Sequence, residues 1–144
     1  MRFLLDENET PALLKPLRAL YPMHHFEWSV DVFGSGVLDV PLIHSMRRHD
    51  YDCLITKDGA QLSNDDERQA LFEARIHWVG HHQVRAQGAQ MVATLVSSYT
   101  IAFPHILEIL ERADGPRAIH VAHSNRKAKD LVRTYPIDPL KRTS

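Results

Sequence analysis

Three short stretches of the chain carry acidic side chains where they could act together on one substrate. Residues 2–8 read Arg-Phe-Leu-Leu-Asp-Glu-Asn, residues 54–58 read Leu-Ile-Thr-Lys-Asp, and Asp39 follows a Gly-Ser-Gly loop. The first two stretches are apolar runs that end in a carboxylate, which is typical of strands buried on both faces of a parallel sheet. Residues that bind ligands in such sheets lie at the carboxyl ends of the strands. We therefore expect Asp6 and Asp58 to emerge side by side at one edge.

Carboxylates brought together in this way repel each other, and in proteins a hard divalent cation often binds between them and compensates their charge. Asp6, Asp39 and Asp58, at two strand ends and one helix start, form our candidate metal-binding and catalytic set for Mg²⁺ or Mn²⁺. Such a cation activates a water for in-line attack on phosphorus. Lys57 could then neutralise charge on the phosphate, and Asn8 could orient a ligand or a water.

Each of these residues also has a purely structural interpretation. Asp6 could accept backbone N–H groups in a turn, and Asp39 could be the N-cap of a helix that continues through Pro41. Asp58 could form a turn with Gly59, and Lys57 could pair with a neighbouring acid.

Length and composition indicate one ordinary globular domain spanning residues 1–144. Of its residues, 44% are hydrophobic and 24% are charged, within the normal range for such domains. The single Cys53 lies in an expected buried strand, which fits a reducing, cytoplasmic location. We also expect no signal peptide and no membrane-spanning run.

Charge is distributed unevenly along the chain. Residues 1–114 hold 10 Lys and Arg against 16 Asp and Glu, whereas residues 115–144 hold 7 against 2. The net charge of −1 therefore combines an acidic body with a basic C-terminal strand and tail. A polyanion or an acidic partner, or simply a solvated tail, would account for this segment.

Strands and helices are expected to alternate along the chain, which predicts a three-layer α/β/α fold with a central, mostly parallel sheet. The expected strands comprise residues 3–5, 24–28, 52–56, 75–79 (closed by Gly80) and an edge strand 118–122. The expected helices begin at Thr10-Pro11, Asp39, Asn64 and Ala86.

Several details of these helices can also be anticipated. Pro16 should kink or interrupt the first helix, and Pro104 should interrupt the last one or divide it in two. Residues 33–36 should form a loop, and Leu38 should face inward with the apolar side of the following helix. Met91, Val92, Leu95, Val96 and Tyr99 share one helical face, which would be core or the surface of a homodimer.

The opening Phe3–Asn8 motif, the Gly-Ser-Gly loop before Asp39, and Leu54–Asp58 occur in an order and spacing that resemble PIN-like domains. The resemblance covers about residues 1–82. It implies a metal-dependent ribonuclease fold, single-stranded RNA as substrate and, for VapC-type members, the toxin of a type II toxin–antitoxin pair with an antitoxin protein as partner.

One departure from the family pattern concerns the fourth acid. The family often carries an acid just past the Lys-Asp pair, where this chain has residues 59–61, Gly-Ala-Gln. Asp65, or its neighbour Asp66, could supply the fourth metal ligand. Acids there would also stabilise the N-terminus of a helix through its dipole.

Two other function classes stay open at this point. A phospho-acceptor receiver domain also uses an early acid pair and a later strand-end acid, and a PIN-like module without catalysis would fit the missing fourth acid. Against the receiver, the fourth strand ends in Gly80-His81-His82 with no hydroxyl residue. The histidines lack the spacing of a zinc site, and neither a P-loop nor a Ser-His-Asp order is present.

Overall fold

Five short strands form one sheet in which every neighbouring pair is parallel. The computed structural model describes residues 1–57, 59–123 and 128–137. The strands are β1 (Arg2–Leu5), β2 (His25–Trp28), β3 (Cys53–Thr56), β4 (His77–His81) and β5 (Ala118–Val121). The helices are α1 (Leu14–Leu20), α2 (Ser29–Phe33), α3 (Asp39–Arg48), α4 (Ala60–Ser63), α5 (Asp65–Ala74) and α6 (Gly88–Arg112), with 3₁₀ turns at Pro11–Leu13 and Ala128–Leu131.

The strand order across the sheet is β2-β1-β3-β4-β5. From β1 the chain moves outward in one direction to β2, and then returns to the other side of β1 to form β3. The order therefore reverses between β1 and β3. In open parallel sheets, ligands bind outside the carboxyl ends of the strands at such a switch point. This places the expected site between the ends of β1 and β3.

Side chains alternate across the sheet and fill two separate cores, which confirms the three-layer α/β/α prediction. Phe3, Leu5, Cys53 and Ile55 pack against the layer formed by α1 and α6. Leu4, Leu54 and Trp78 face the opposite layer, where α3 and α5 supply Ile43, Met46 and Leu71. Because both faces are covered, the central strands read as continuous apolar runs.

The last crossover differs from the others in its hand. The β2-to-β3 and β3-to-β4 connections run over the α3/α5 face, but α6 crosses back to the α1 face before β5 continues the sheet in the same direction. The β4–α6–β5 connection therefore has the opposite hand, which is rare for parallel strands. It brings Tyr99 of α6 beneath the carboxyl end of β4, where its ring meets His81.

The N-terminal half follows the expected pattern with three corrections. Pro16 does not kink α1, because it lies in the first turn, where its missing N–H would have no partner in the helix. Phe33 ends α2 and is not part of the loop. Leu38 faces solvent with 75% of its surface exposed, because it precedes α3 and lies outside that helix's apolar face.

Pro104 does not interrupt α6, contrary to expectation, and the helix runs unbroken for 25 residues. A proline at this position removes the N–H that would bond to the carbonyl of Thr100. The Tyr21 hydroxyl donates to the Thr100 oxygen instead, at 2.7 Å. The hydroxyl of Tyr21, the C-cap residue of α1, thereby replaces the hydrogen bond that the helix loses at Pro104.

By length and composition, α6 is the one helix in the described part of the chain that is long and apolar enough to cross a membrane. The expectation that no segment reaches this limit is therefore wrong by that criterion. A core helix of a globular protein meets the same criterion, and α6 packs Leu95, Tyr99, Phe103, Ile106 and Leu110 against the sheet.

Strand β4 begins two residues later than expected and continues through Gly80 to His81. Arg75 adopts a left-handed conformation (φ 57°) as the C-cap of α5, so it cannot be extended. Gly80 pairs with Thr56 on one side and with His120 on the other, which makes it an interior strand residue.

Packing explains why a glycine occupies this strand. A Cβ at Gly80 would lie 2.5 Å from Cζ2 and 2.8 Å from Cζ3 of the Trp78 indole. Trp78 is buried and donates through Nε1 to Gln61, so the ring cannot simply move aside.

We predict that Gly80→Ala lowers the free energy of unfolding by about 1–3 kcal/mol, because overpacking forces side chains from their preferred positions. Urea denaturation measures the change. The matched control is Gly115→Ala, where an added Cβ would meet nothing within 4 Å. Equal stability of the two variants would contradict this account of Gly80.

Candidate functional site

Asp6 lies at the switch point and is held by both neighbouring segments. Its backbone N–H donates to the carbonyl of Ile55 at 2.8 Å, which extends the pairing of β1 with β3 by one residue. Its Oδ1 accepts from the Glu7 backbone N–H at 2.7 Å, and its Oδ2 accepts from the Thr56 hydroxyl at 2.8 Å. The carboxylate is therefore buried and oriented by the ends of both strands.

Thr56 connects the two strand ends through its side chain. It is fully buried, and its hydroxyl lies 2.8 Å from Asp6 Oδ2 and 3.3 Å from Asn8 Oδ1. Asp6 therefore does accept a backbone N–H in its turn, as the structural interpretation expects, but it also bonds to the neighbouring strand. Oxygen atoms from Asp6, Thr56 and Asn8 gather at one point of the carboxyl edge.

The loop that leads to Asp39 is fastened to the same edge. The backbone N–H of Gly36 donates to Glu7 Oε2 at 2.9 Å. Gly34 and Gly36 both adopt positive φ angles (82° and 74°), which glycine tolerates and other residues rarely adopt. Glu7, the residue after Asp6, thereby fixes the position of the loop that contains Gly34 and Gly36, three residues before Asp39.

Asp39 is the first residue of α3 and not its N-cap. The N-cap position is Leu38, and it makes no side-chain capping bond, so the capping interpretation of Asp39 is wrong. Asp39 Oδ1 instead accepts from Gln61 Nε2 at 2.9 Å, and Gln61 Oε1 accepts from Trp78 Nε1 at 3.1 Å. Gln61 is completely buried, so this chain of bonds attaches Asp39 to α4 and β4.

The remaining predicted site residues lie in different settings. Asp58 is outside the described residues. Asp65 is exposed as the first residue of α5, where Asn64 caps the helix by accepting from the Glu67 backbone N–H at 3.1 Å. Within residues 1–57, 59–123 and 128–137, no three His, Cys, Asp or Glu side chains lie close enough together to hold a metal ion.

Lys57 follows β3 directly and is exposed at this edge. Its ammonium makes no ion pair with any acid in the described part of the chain. A cation at this position could meet a phosphate.

A buried pair that was not expected from the sequence lies beside these residues. Glu9 and His81 have side chains that are 0% and 3% exposed, and His81 Nε2 lies 2.8 and 2.9 Å from the two Glu9 oxygens. His81 Nδ1 lies 2.9 Å from the His82 carbonyl. A strand-end histidine and a loop glutamate 72 residues apart carry no local pattern, so only the sheet register brings them together.

The partners of His81 fix the number of protons in this pair. Nδ1 must donate, because a carbonyl oxygen only accepts, and the contact of Nε2 with Glu9 requires a second proton on one of the two groups. The pair is therefore electrically neutral and shares one proton. Burial lowers the pKa of the His81 imidazole, but the hydrogen bond and charge of Glu9 outweigh burial and hold that pKa above its usual value.

This raised pKa predicts a pH-dependent contribution to stability. The contribution is fully present below the unfolded histidine pKa of about 6.5 and is lost as pH rises through the higher pKa of the folded protein. Glu9→Gln removes the shared proton but can still donate to Nε2. The stability advantage of the wild type over this variant should therefore be largest in mildly acidic solution and shrink as pH rises.

Urea unfolding at a series of pH values tests this expectation, with Glu73→Gln on the exposed side of α5 as the control. Parallel stability curves for wild type and Glu9→Gln across the whole range would show that the pair shares no proton.

Comparisons with known proteins support the assignment of the fold. The family model described as PIN like domain matches residues 1–81, which include β1 to β4 and the elements that carry Asp6, Asp39 and Lys57. No curated protein and no solved structure matches the chain. PIN-like domains are commonly nucleases. The chain belongs to the PIN-like domain family.

Proposed function

We propose that this protein is a metal-dependent endoribonuclease that cleaves single-stranded RNA at the carboxyl edge of β1 and β3. One observation carries the proposal: the Asp6 carboxylate is held by Thr56 at the switch point of the sheet, where ligands of parallel α/β proteins bind. Asp39 and Asp58 complete the proposed acidic set.

The chemistry of the donors at this edge fits Mg²⁺ or Mn²⁺. The groups that meet there are carboxylate, hydroxyl and amide oxygens from Asp6, Thr56 and Asn8, which are the hard ligands such ions prefer. Mg²⁺ needs only one or two carboxylates, because waters and substrate phosphate complete its coordination.

The residues at this edge have separate proposed roles in the reaction. When bound, Mg²⁺ or Mn²⁺ would supply Lewis-acid activation of a water and would neutralise charge on the scissile phosphate. Thr56 and Gln61 orient the carboxylates of Asp6 and Asp39. Lys57 provides a positive charge for a phosphate oxygen, and Asn8 offers an amide to a ligand. Asp65, exposed as the first residue of α5, is the proposed fourth metal ligand.

We further propose that the protein acts as the toxin of a toxin–antitoxin pair. An antitoxin protein would restrain it by covering the acidic edge, and the basic segment 115–144 would attract RNA or an acidic portion of that partner. The resemblance of residues 1–82 to PIN-like domains, many of which are VapC-type toxins, supports this role.

The receiver-domain alternative shares the strand order seen in this sheet. It is disfavoured because β4 ends in His81, whose ring is committed to Glu9, where the alternative requires a hydroxyl residue. Phosphorylation of the protein by a small phosphodonor would favour that alternative, and RNA cleavage would favour the nuclease.

Incubation with a fluorescent single-stranded RNA in Mn²⁺, with and without a chelator, tests the proposed activity. Asp6→Asn and Asp58→Asn should each reduce cleavage by about 100-fold or more, which is the order of loss when one charge-stabilising group is removed. The control is Asp114→Asn, a fully exposed acid between α6 and β5. Wild-type cleavage rates in the double variant Asp6→Asn/Asp58→Asn would refute the nuclease assignment.

Gln61 offers a test of how Asp39 is positioned. Gln61→Leu removes the donor to Asp39 and should raise the Mn²⁺ concentration for half-maximal cleavage about 10–100-fold, since loss of a group that orients a ligand typically has this effect. The RNA concentration for half-maximal rate should change little. The control Gln69→Leu lies on the exposed side of α5, where its amide donates to Glu73. An unchanged Mn²⁺ dependence of cleavage in Gln61→Leu would show that Asp39 is not part of the metal site.

A further inference from the structure

A cavity of about 170 Å³ opens at the carboxyl edge, next to the proposed cleavage site. It lies between the turn after β1, the loop after β4 and the first turns of α6. Asn8 and Lys57 line it, and both also belong to the edge at which Asp6 is held. A ligand in the cavity would therefore adjoin a phosphate at that edge.

The polar side chains that line the cavity from the sheet are paired with each other. Glu9 and His81 both line it, and both are buried. Because they are hydrogen-bonded to each other, neither offers an unpaired charge to a free ion. This part of the lining therefore suits a neutral group that has polar atoms on its edge.

The side wall of the cavity is apolar and its rim is polar. Val84, Met91 and Leu95 form the wall, and the exposed Lys57 and Gln83 lie at the rim. The Gln83 side chain makes no hydrogen bond within the described residues, so its amide can donate to or accept from a ligand. A flat ring would contact the wall, and an attached anion would meet Lys57.

The volume limits the size of the ligand. Pockets that enclose drug-sized molecules measure roughly 300–1,000 Å³, so this cavity admits a single ring system and not a whole nucleotide. The combination of a small volume, an apolar wall, neutral polar groups within and a cation at the rim matches a base that is attached to a phosphate outside.

We propose that this cavity is a subsite for the base of the nucleotide that adjoins the scissile phosphate. This inference rests on the proposed nuclease function and adds base selection to it. The enzyme would then hold RNA through one inserted base as well as through its backbone.

Binding to the metal-free protein in the presence of a chelator tests the subsite without any cleavage. The probes are the four ribonucleoside 5′-monophosphates and, as a reference without a base, ribose 5-phosphate, followed by amide NMR shifts. At least one nucleotide should bind about tenfold more tightly than ribose 5-phosphate and should shift the amide signals of Gln83, Val84 and Met91.

Variants of the lining residues make the test specific. Met91→Trp should fill the cavity and weaken nucleotide binding about tenfold or more, whereas Met23→Trp, at a residue that is 84% exposed before β2, should bind as the wild type does. Gln83→Ala changes an exposed side chain and should weaken binding about fivefold. If Met91→Trp does not fold, the nucleotide affinity of Gln83→Ala alone tests the subsite.

The outcomes separate this inference from the nuclease proposal. Equal affinity for ribose 5-phosphate and for all four nucleotides, or wild-type binding in both Met91→Trp and Gln83→Ala, would overturn the subsite even if RNA is cleaved. Base-dependent binding that these variants weaken would support the subsite even if no RNA is cleaved.

Discussion

The hydrogen bond from the Thr56 hydroxyl to the Asp6 carboxylate is the interaction on which the rest of the edge depends. A buried carboxylate is costly unless polar partners surround it, and here they come from its own turn and from the end of the neighbouring strand. The bond from Thr56 requires β1 and β3 to be adjacent and parallel. The apolar strands, the helices that cover both faces and the reversal of strand order therefore all serve to bring two polar strand ends together.

Two further connections transmit this arrangement to segments that are distant in sequence. Glu7 holds the backbone of Gly36, and buried Gln61 joins Asp39 to Trp78. Each connection uses a side chain immediately after a strand or in a short helix at the carboxyl edge. On the other side of the sheet, the Glu9–His81 pair lines the cavity between the turn after β1 and the first turns of α6. The edge is thus shaped by hydrogen bonds that link loops to one another, while the helices below supply the apolar packing.

The fold was largely predictable from the sequence, because apolar runs that end in polar residues are direct consequences of a parallel sheet. The order of the strands and the continuity of α6 were not, since the hydroxyl that replaces the bond lost at Pro104 comes from Tyr21, 79 residues away. For the site, the sequence singled out Asp6, Asp39 and Lys57 as strand-end or helix-start residues. It could not indicate that Thr56 and Gln61 orient Asp6 and Asp39, or that Glu9 pairs with His81, because those contacts join segments that are distant in sequence and leave no local pattern.

Acids from distant parts of the chain are proposed to share a divalent cation where β1 and β3 end. Direct titration of the metal-free protein with Mn²⁺, followed by the loss of the free-ion electron paramagnetic resonance signal, tests this claim without any assumption about the substrate. We expect saturable binding in the wild type that Asp6→Asn weakens strongly, while the protein stays folded. Equal Mn²⁺ binding by the wild type and Asp6→Asn, or no saturable binding to the wild type, would contradict it.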